Sequence, residues 1–313
     1  MRPMGRHRQA AAAAGLAIAA CLTGVRGAAR SASPRLTIVT AYERQMTYVT
    51  SARSAAVGER AALWKTLVAD PIDKTCAEGG EYAALGTSTL ARPAADLDGL
   101  EAEVGALRQS DLSRVIGQAF DRASAALPGP DTTICVVAAY PGATAVTTDM
   151  HGVSAVTTGA GKIWLTVHPS GDWLDWLAFS VAHEHHHSAW TQRYFHGRGR
   201  RADLLDYLVF EGRAEWFAHT LYPAMRAPWA HALDDDAIRT VWRRIEPRLG
   251  ATDPDVKHTV MFGGPDVPHW AGYSIGYAIV ERYCTRHPTA SIAEWTALDP
   301  DQLLADSGFD PGK

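Results

Sequence analysis

With 313 residues, 47% of them apolar and 20% charged, the chain can bury a core and carries too little charge for a disordered polyelectrolyte. A formal net charge of −4 argues against nucleic acid and against an acidic membrane surface as partners. Length by itself leaves one large domain or two small ones open.

Arg2, Arg6, His7 and Arg8 make the start of the chain basic, and residues 10–22 follow as an almost unbroken run of small apolar side chains. A basic head before an apolar run of this length reads as a signal peptide, too short for a permanent span. We expect residues 1–30 to be that signal and residues 31–313 to form one domain. Ile18-Ala19-Ala20-Cys21 resembles a bacterial lipobox, in which the cysteine carries lipid. The chain is therefore expected to be exported, either secreted or held at the cell envelope through Cys21, with no other membrane contact. Beyond the signal, 25 basic side chains face 34 acidic ones, a mature charge near −9. Cys76, Cys135 and Cys284 lie in that part. One disulfide and one free thiol suit an oxidising exterior, but the spacing does not pair them.

Residues 31 to about 50 read as a polar leader. Residues 54–69 carry Ala, Leu and Trp at helical spacing, and this helix is expected to stop before Asp70-Pro71. Residues 79–93 are loop-rich. Over 97–127 the apolar side chains recur at the helical period, predicting one long helix or two that break near Ser110-Asp111. A β-branched run at 132–139 reads as a strand, and 152–158 with 162–168 flank Gly159-Ala160-Gly161 as a hairpin. Helices are predicted over 173–194, 204–222, 234–248 and 273–287. Asp234-Asp235-Asp236 opens the third, where acidic groups suit the positive end of the helix dipole. The order is an α+β fold: helices over about 50–130, a sheet over about 131–168, then helices over about 173–313.

The segment Ser180-Val181-Ala182-His183-Glu184-His185-His186-His187 contains His-Glu-x-x-His inside a predicted helix. Residues four apart share a helix face, so His183 and His187 can hold one Zn2+ ion. Glu184 lies a quarter-turn round, placed to take a proton from a metal-activated water as general base rather than to bind the metal. His185 and His186 are expected to face solvent or to sit behind the ligands. Arg198, Arg200 and Arg201 form a basic loop after this helix, either solvated or suited to an acidic or C-terminal carboxylate group.

Gluzincin peptidases supply a third ligand, a glutamate from a following helix. Here Glu211-Gly212-Arg213-Ala214-Glu215 sits in the predicted helix 204–222. Glu211 directly follows Leu208-Val209-Phe210, an apolar stretch in which a carboxylate needs a partner. We assign Glu211 as the third ligand and Glu215, one turn on, as the acid that orients a ligand histidine; the spacing also permits the reverse.

His183–His187, the 211–215 segment and Trp270-Ala271-Gly272-Tyr273-Ser274-Ile275-Gly276 together resemble the bacterial family of predicted zinc-dependent proteases, classed as a domain of unknown function. More distantly the arrangement is similar to thermolysin. The resemblance implies a zincin-like metallopeptidase fold, one zinc ion per chain and a peptide or protein substrate. It also implies Tyr273 as the group that stabilises the oxyanion, with His258 and His269 as alternatives. In zincins an edge strand lies over the cleft and pairs with an extended peptide; 152–158 or 162–167 is either that edge or part of an ordinary structural hairpin. Competing expectations are a zinc hydrolase of a non-peptide amide and a non-catalytic, metal-binding exported protein.

Overall fold

Four short strands, flanked by helices from both ends of the chain, form the frame of the site. The computed structural model describes residues 33–143, 145–198 and 202–311. The expected signal peptide with Cys21, and Arg200 and Arg201 of the basic loop, lie outside the described residues.

The fold is α+β. Strand β1 (Leu36–Val39) leads into helix α1 (Tyr42–Ser54), where a polar leader was expected. The correction has a tertiary cause. Four residues become a strand because Leu36–Val39 pair in parallel with Thr132–Cys135 of strand β2 (Thr132–Ala138). Helix α1 is amphipathic only weakly, yet it buries Tyr48, Val49 and Ala52. The helix expected over 54–69 instead begins at Arg60 and runs past Pro71 to Cys76. A widened turn over Lys65–Ala69, in which the Asp70 N–H donates to the Lys65 carbonyl, accommodates the proline. The loop-rich stretch contains two short helical turns, Ala83–Thr87 and Ser88–Leu90.

Helices α2 (Leu97–Arg108) and α3 (Leu112–Ala126) break at Ser110-Asp111, the second of the two expected arrangements. Strand β2 then enters the sheet, and β3 (Val153–Gly159) and β4 (Lys162–Val167) form the hairpin. The sheet order is β1-β2-β4-β3. Strand β2 is parallel to both neighbours and β3 is antiparallel to β4. Ile134 to Val137 are buried on both faces, which is why that strand is a continuous apolar run. Cys135 bonds to Cys76, tying the first helical layer to the centre of the sheet, and Cys284 is the free thiol. Strands β1 and β3 are the two sheet edges; β4 is internal.

Helix α4 (Trp173–Trp190) packs against β3, α3 and helix α5 (Leu204–Leu221) at once. It is therefore buried nearly all round from Phe179 onward. Helices α6 (Asp235–Ile245, capped by the Asp234 carboxylate), α7 (Pro254–Phe262) and α8 (Ala271–Arg286) follow. Helices α5 and α8 cross backbone to backbone. A Cβ on Gly212 would lie 2.1 Å from the Gly276 carbonyl oxygen, and one on Gly276 equally close to that of Leu208. Only glycine permits this approach. Among the described residues no helix is long and apolar enough to cross a membrane.

Candidate metal centre

Helix α4 brings His183 and His187 onto one face, and α5 lays Glu211 across from them. The two Nε2 atoms are 3.0 Å apart, and Glu211 Oε2 lies 3.5 Å from that of His183 and 3.4 Å from that of His187. A tetrahedral ion with ligand bonds of about 2.0–2.1 Å separates its ligand atoms by about 3.3–3.4 Å. The two distances to Glu211 match that spacing and the two nitrogens lie somewhat closer together, so the three donors can converge on one zinc ion. All three residues are buried, and among the described residues they form the one such His/Cys/Asp/Glu group that could hold a metal.

The surroundings favour a cation. Burial alone would push the His183 ring below its usual range, but the carboxylates of Glu215, Glu211 and Glu184 outweigh it and raise the ring well above. Burial would likewise raise Glu211, yet His187 and His183 hold its carboxyl far below the usual carboxylate range. Glu215 Oε1 lies 3.2 Å from His183 Nδ1, on the opposite side of the ring from Glu211. The same oxygen accepts a hydrogen bond from Trp229 Nε1. The ring of His187 is stacked on Phe210, 4.0 Å between centroids.

Glu184 points toward the cluster, its Oε1 4.0 Å from His183 Nε2. Its Oε2 accepts a hydrogen bond of 2.7 Å from Thr157 Oγ1 on β3. Tyr273 lies in the first turn of α8, just before the Gly212/Gly276 crossing, and lines the same cleft as His183, His187 and Glu211. Burial, helped by Glu211, Tyr207, Glu215 and Glu184, raises the Tyr273 phenol well above its ordinary value. It stays a protonated donor. Tyr273, His258 and His269 all line a cleft of about 1150 Å³ with His183, Glu184, His187, Glu211 and Glu215.

His185 and His186 are buried, not solvated. The cause is the central position of α4. His185 Nε2 bonds the Leu127 carbonyl at 2.8 Å and its ring packs on Phe120. The ring of His186 stacks on Trp295, with its Nε2 3.3 Å from Thr296 Oγ1. Burial pushes both rings below the usual imidazole range, so both are neutral struts of the scaffold.

Strand β3 borders the cleft through Val153, Ala155, Val156 and Thr157. The His168 N–H donates to the Gly152 carbonyl at 2.8 Å, which sets the alternation of the ladder. Ala155, opposite Leu165, then turns its N–H and carbonyl away from β4, toward the free edge. Thr157 and Trp229 had escaped the sequence reading. A threonine in a β-branched strand and a tryptophan in a loop carry no local mark of the carboxylates they meet.

Comparison with known proteins agrees with this geometry. A family model described as predicted Zn-dependent protease matches residues 112–305. An uncharacterised protein of Bacillus subtilis (strain 168), YjfC, is 28% identical over 160 residues, 48% of this chain. The match spans 53% of that relative, about half its length. No solved structure matches.

Proposed function

This chain belongs to the family of predicted Zn-dependent proteases, and we propose that it is an exported zinc peptidase of the gluzincin type with a zincin-like fold. The observation that carries the reading is the convergence of His183 Nε2, His187 Nε2 and Glu211 Oε2 at near-tetrahedral spacing beside the Glu184 carboxylate. His183, His187 and Glu211 would hold one zinc, with Glu215 orienting His183 from behind. Zinc in such a site activates water and polarises a carbonyl.

The chain's own groups do the rest. Glu184 takes a proton from water and returns it to the leaving amine. Tyr273, a protonated phenol on the cleft wall, donates to the oxyanion that develops on the substrate carbonyl. The outward N–H and carbonyl of Ala155 pair with an extended peptide as an added strand. The occupant's side chains meet an aromatic wall that includes Phe179, Phe210 and Trp229. Leu85 and Phe262, exposed at 53% and 40%, lie on the same cleft, so apolar side chains beside the cut bond suit it.

Export rests on the basic, Ala-rich start of the chain, with lipidation at Cys21 as one of its two outcomes. The buried Cys76–Cys135 bond supports an oxidising compartment. Zinc content together with peptide cleavage, for wild type and Glu184→Gln, tests the reading. Zinc retained with cleavage lost supports it. Loss of zinc in that variant assigns Glu184 to the ligands instead, and absence of zinc from the wild type after reconstitution refutes the proposal.

A further inference from the structure

We infer that Thr157 is a positioning residue for the general base, through which strand β3 sets the separation between base and substrate; this rests on the peptidase reading above. Glu184 is 4% exposed, and a carboxylate so buried needs a donor. Thr157 Oγ1 lies 2.7 Å from Glu184 Oε2 and 2.9 Å from the main-chain carbonyl of the same residue. A hydroxyl has one proton to give. The carboxylate oxygen is the closer of the two, so it accepts that hydrogen bond.

The consequence is asymmetric. Oε2 is pinned against the sheet by the bond it accepts from Thr157. Oε1 stays directed at the ligand cluster, 4.0 Å from His183 Nε2. Proton transfer is thereby steered to one oxygen in one orientation. A glutamate on an otherwise mobile side chain gains the fixed geometry that a general base requires.

Strand β3 is well placed to hold it. Thr157 is buried opposite Ile163, and the ladder shifts register immediately beyond it, between Thr157 and Gly159. There the Thr158 carbonyl accepts from the Tyr82 N–H at 3.0 Å, and Thr158 Oγ1 donates to the Cys76 carbonyl at 2.7 Å. The strand is thus clamped at the point where it grips the base. Ala155, whose edge faces the cleft, is two residues away, about 6.6 Å along an extended strand. One rigid segment therefore holds the peptide edge and the base in a single register.

Thr157→Val removes the hydroxyl at nearly constant volume, and Thr157→Ser restores it. A crystal structure of the valine variant should show the Glu184 carboxylate turned away from β3. Its kcat per zinc-loaded molecule should fall about ten- to a hundredfold with KM and zinc content unchanged, and the serine variant should recover most of that loss. A merely structural role would lower thermal stability without this split between kcat and KM. Thr157→Ala replaces the valine variant if that one does not fold. The inference is overturned if the carboxylate keeps its position without the hydroxyl, or if kcat is unaltered. Should the wild type cleave no peptide, the proposed function falls, and the position of Glu184 in the variant structure still decides this inference.

Discussion

Replacing Glu211 by alanine removes one of three donor atoms and leaves two imidazoles 3.0 Å apart with no anion between them. Structural zinc sites of four protein ligands bind with about 10–16 kcal/mol, so one ligand is worth about 2.5–4 kcal/mol. Affinity for zinc should therefore fall about a hundred- to a thousandfold. Glu215 makes a sharp internal control. It lies one turn along the same helix but faces Nδ1 of His183, not Nε2. Glu215→Gln should cost only about ten- to a hundredfold, the range for a group that orients a ligand. Competition against a chromophoric chelator measures both variants at one pH, with circular dichroism confirming that each is folded. The order of the two losses is the decisive result. Glu211→Ala binding as tightly as wild type, or Glu215→Gln losing more than Glu211→Ala, would refute the ligand assignment and move the carboxylate ligand to Glu215.

Four further outcomes are expected. Glu184→Gln should keep its zinc by elemental analysis while peptide cleavage falls about 10²–10⁴-fold, the usual contribution of a general base. Tyr273→Phe should retain zinc and lose about 10²–10³ in kcat; unchanged kcat would pass the oxyanion role to His258 or His269. Gly212→Ala would place a methyl 2.1 Å from the Gly276 carbonyl, so α5 and α8 must separate. That should lower stability by about 1–3 kcal/mol and weaken zinc binding through Glu211, and an unchanged melting temperature would contradict the close crossing. Cys76→Ser opens a loop whose ends are 59 residues apart. On the chain-entropy model this costs about 4 kcal/mol, readable as a shift in urea midpoint that reduction of the wild type should reproduce.

The chemistry of the candidate site is local in sequence, and so it was legible there. His183, Glu184 and His187 share two turns of one helix, and Glu211 and Glu215 one turn of another. Residue type and helical period alone establish which side chains lie together on each segment. The strand–hairpin–helix order from Thr132 to Trp190 follows from equally local patterns of β-branched runs, glycines and apolar periodicity.

What tertiary structure decided is every relation between distant segments. Strand β1 exists because β2, nearly a hundred residues later, offers it a partner. Histidine has no strong preference for core or surface, but α4 is enclosed by α3, β3 and α5, so His185 and His186 are each buried against a partner supplied from elsewhere. The choice of β3 over β4 as the free edge is a matter of sheet order, which alternation within a strand does not encode. The glycines of the 211–215 and 270–276 segments read as motif letters until the crossing shows Gly212 against Gly276. Thr157 finds Glu184 across 27 residues and Trp229 finds Glu215 across 14. Sequence points to the candidate ligands because coordination chemistry depends on side-chain type and short spacing. Their distances and electrostatic setting arise only when helices and sheet exclude water around them.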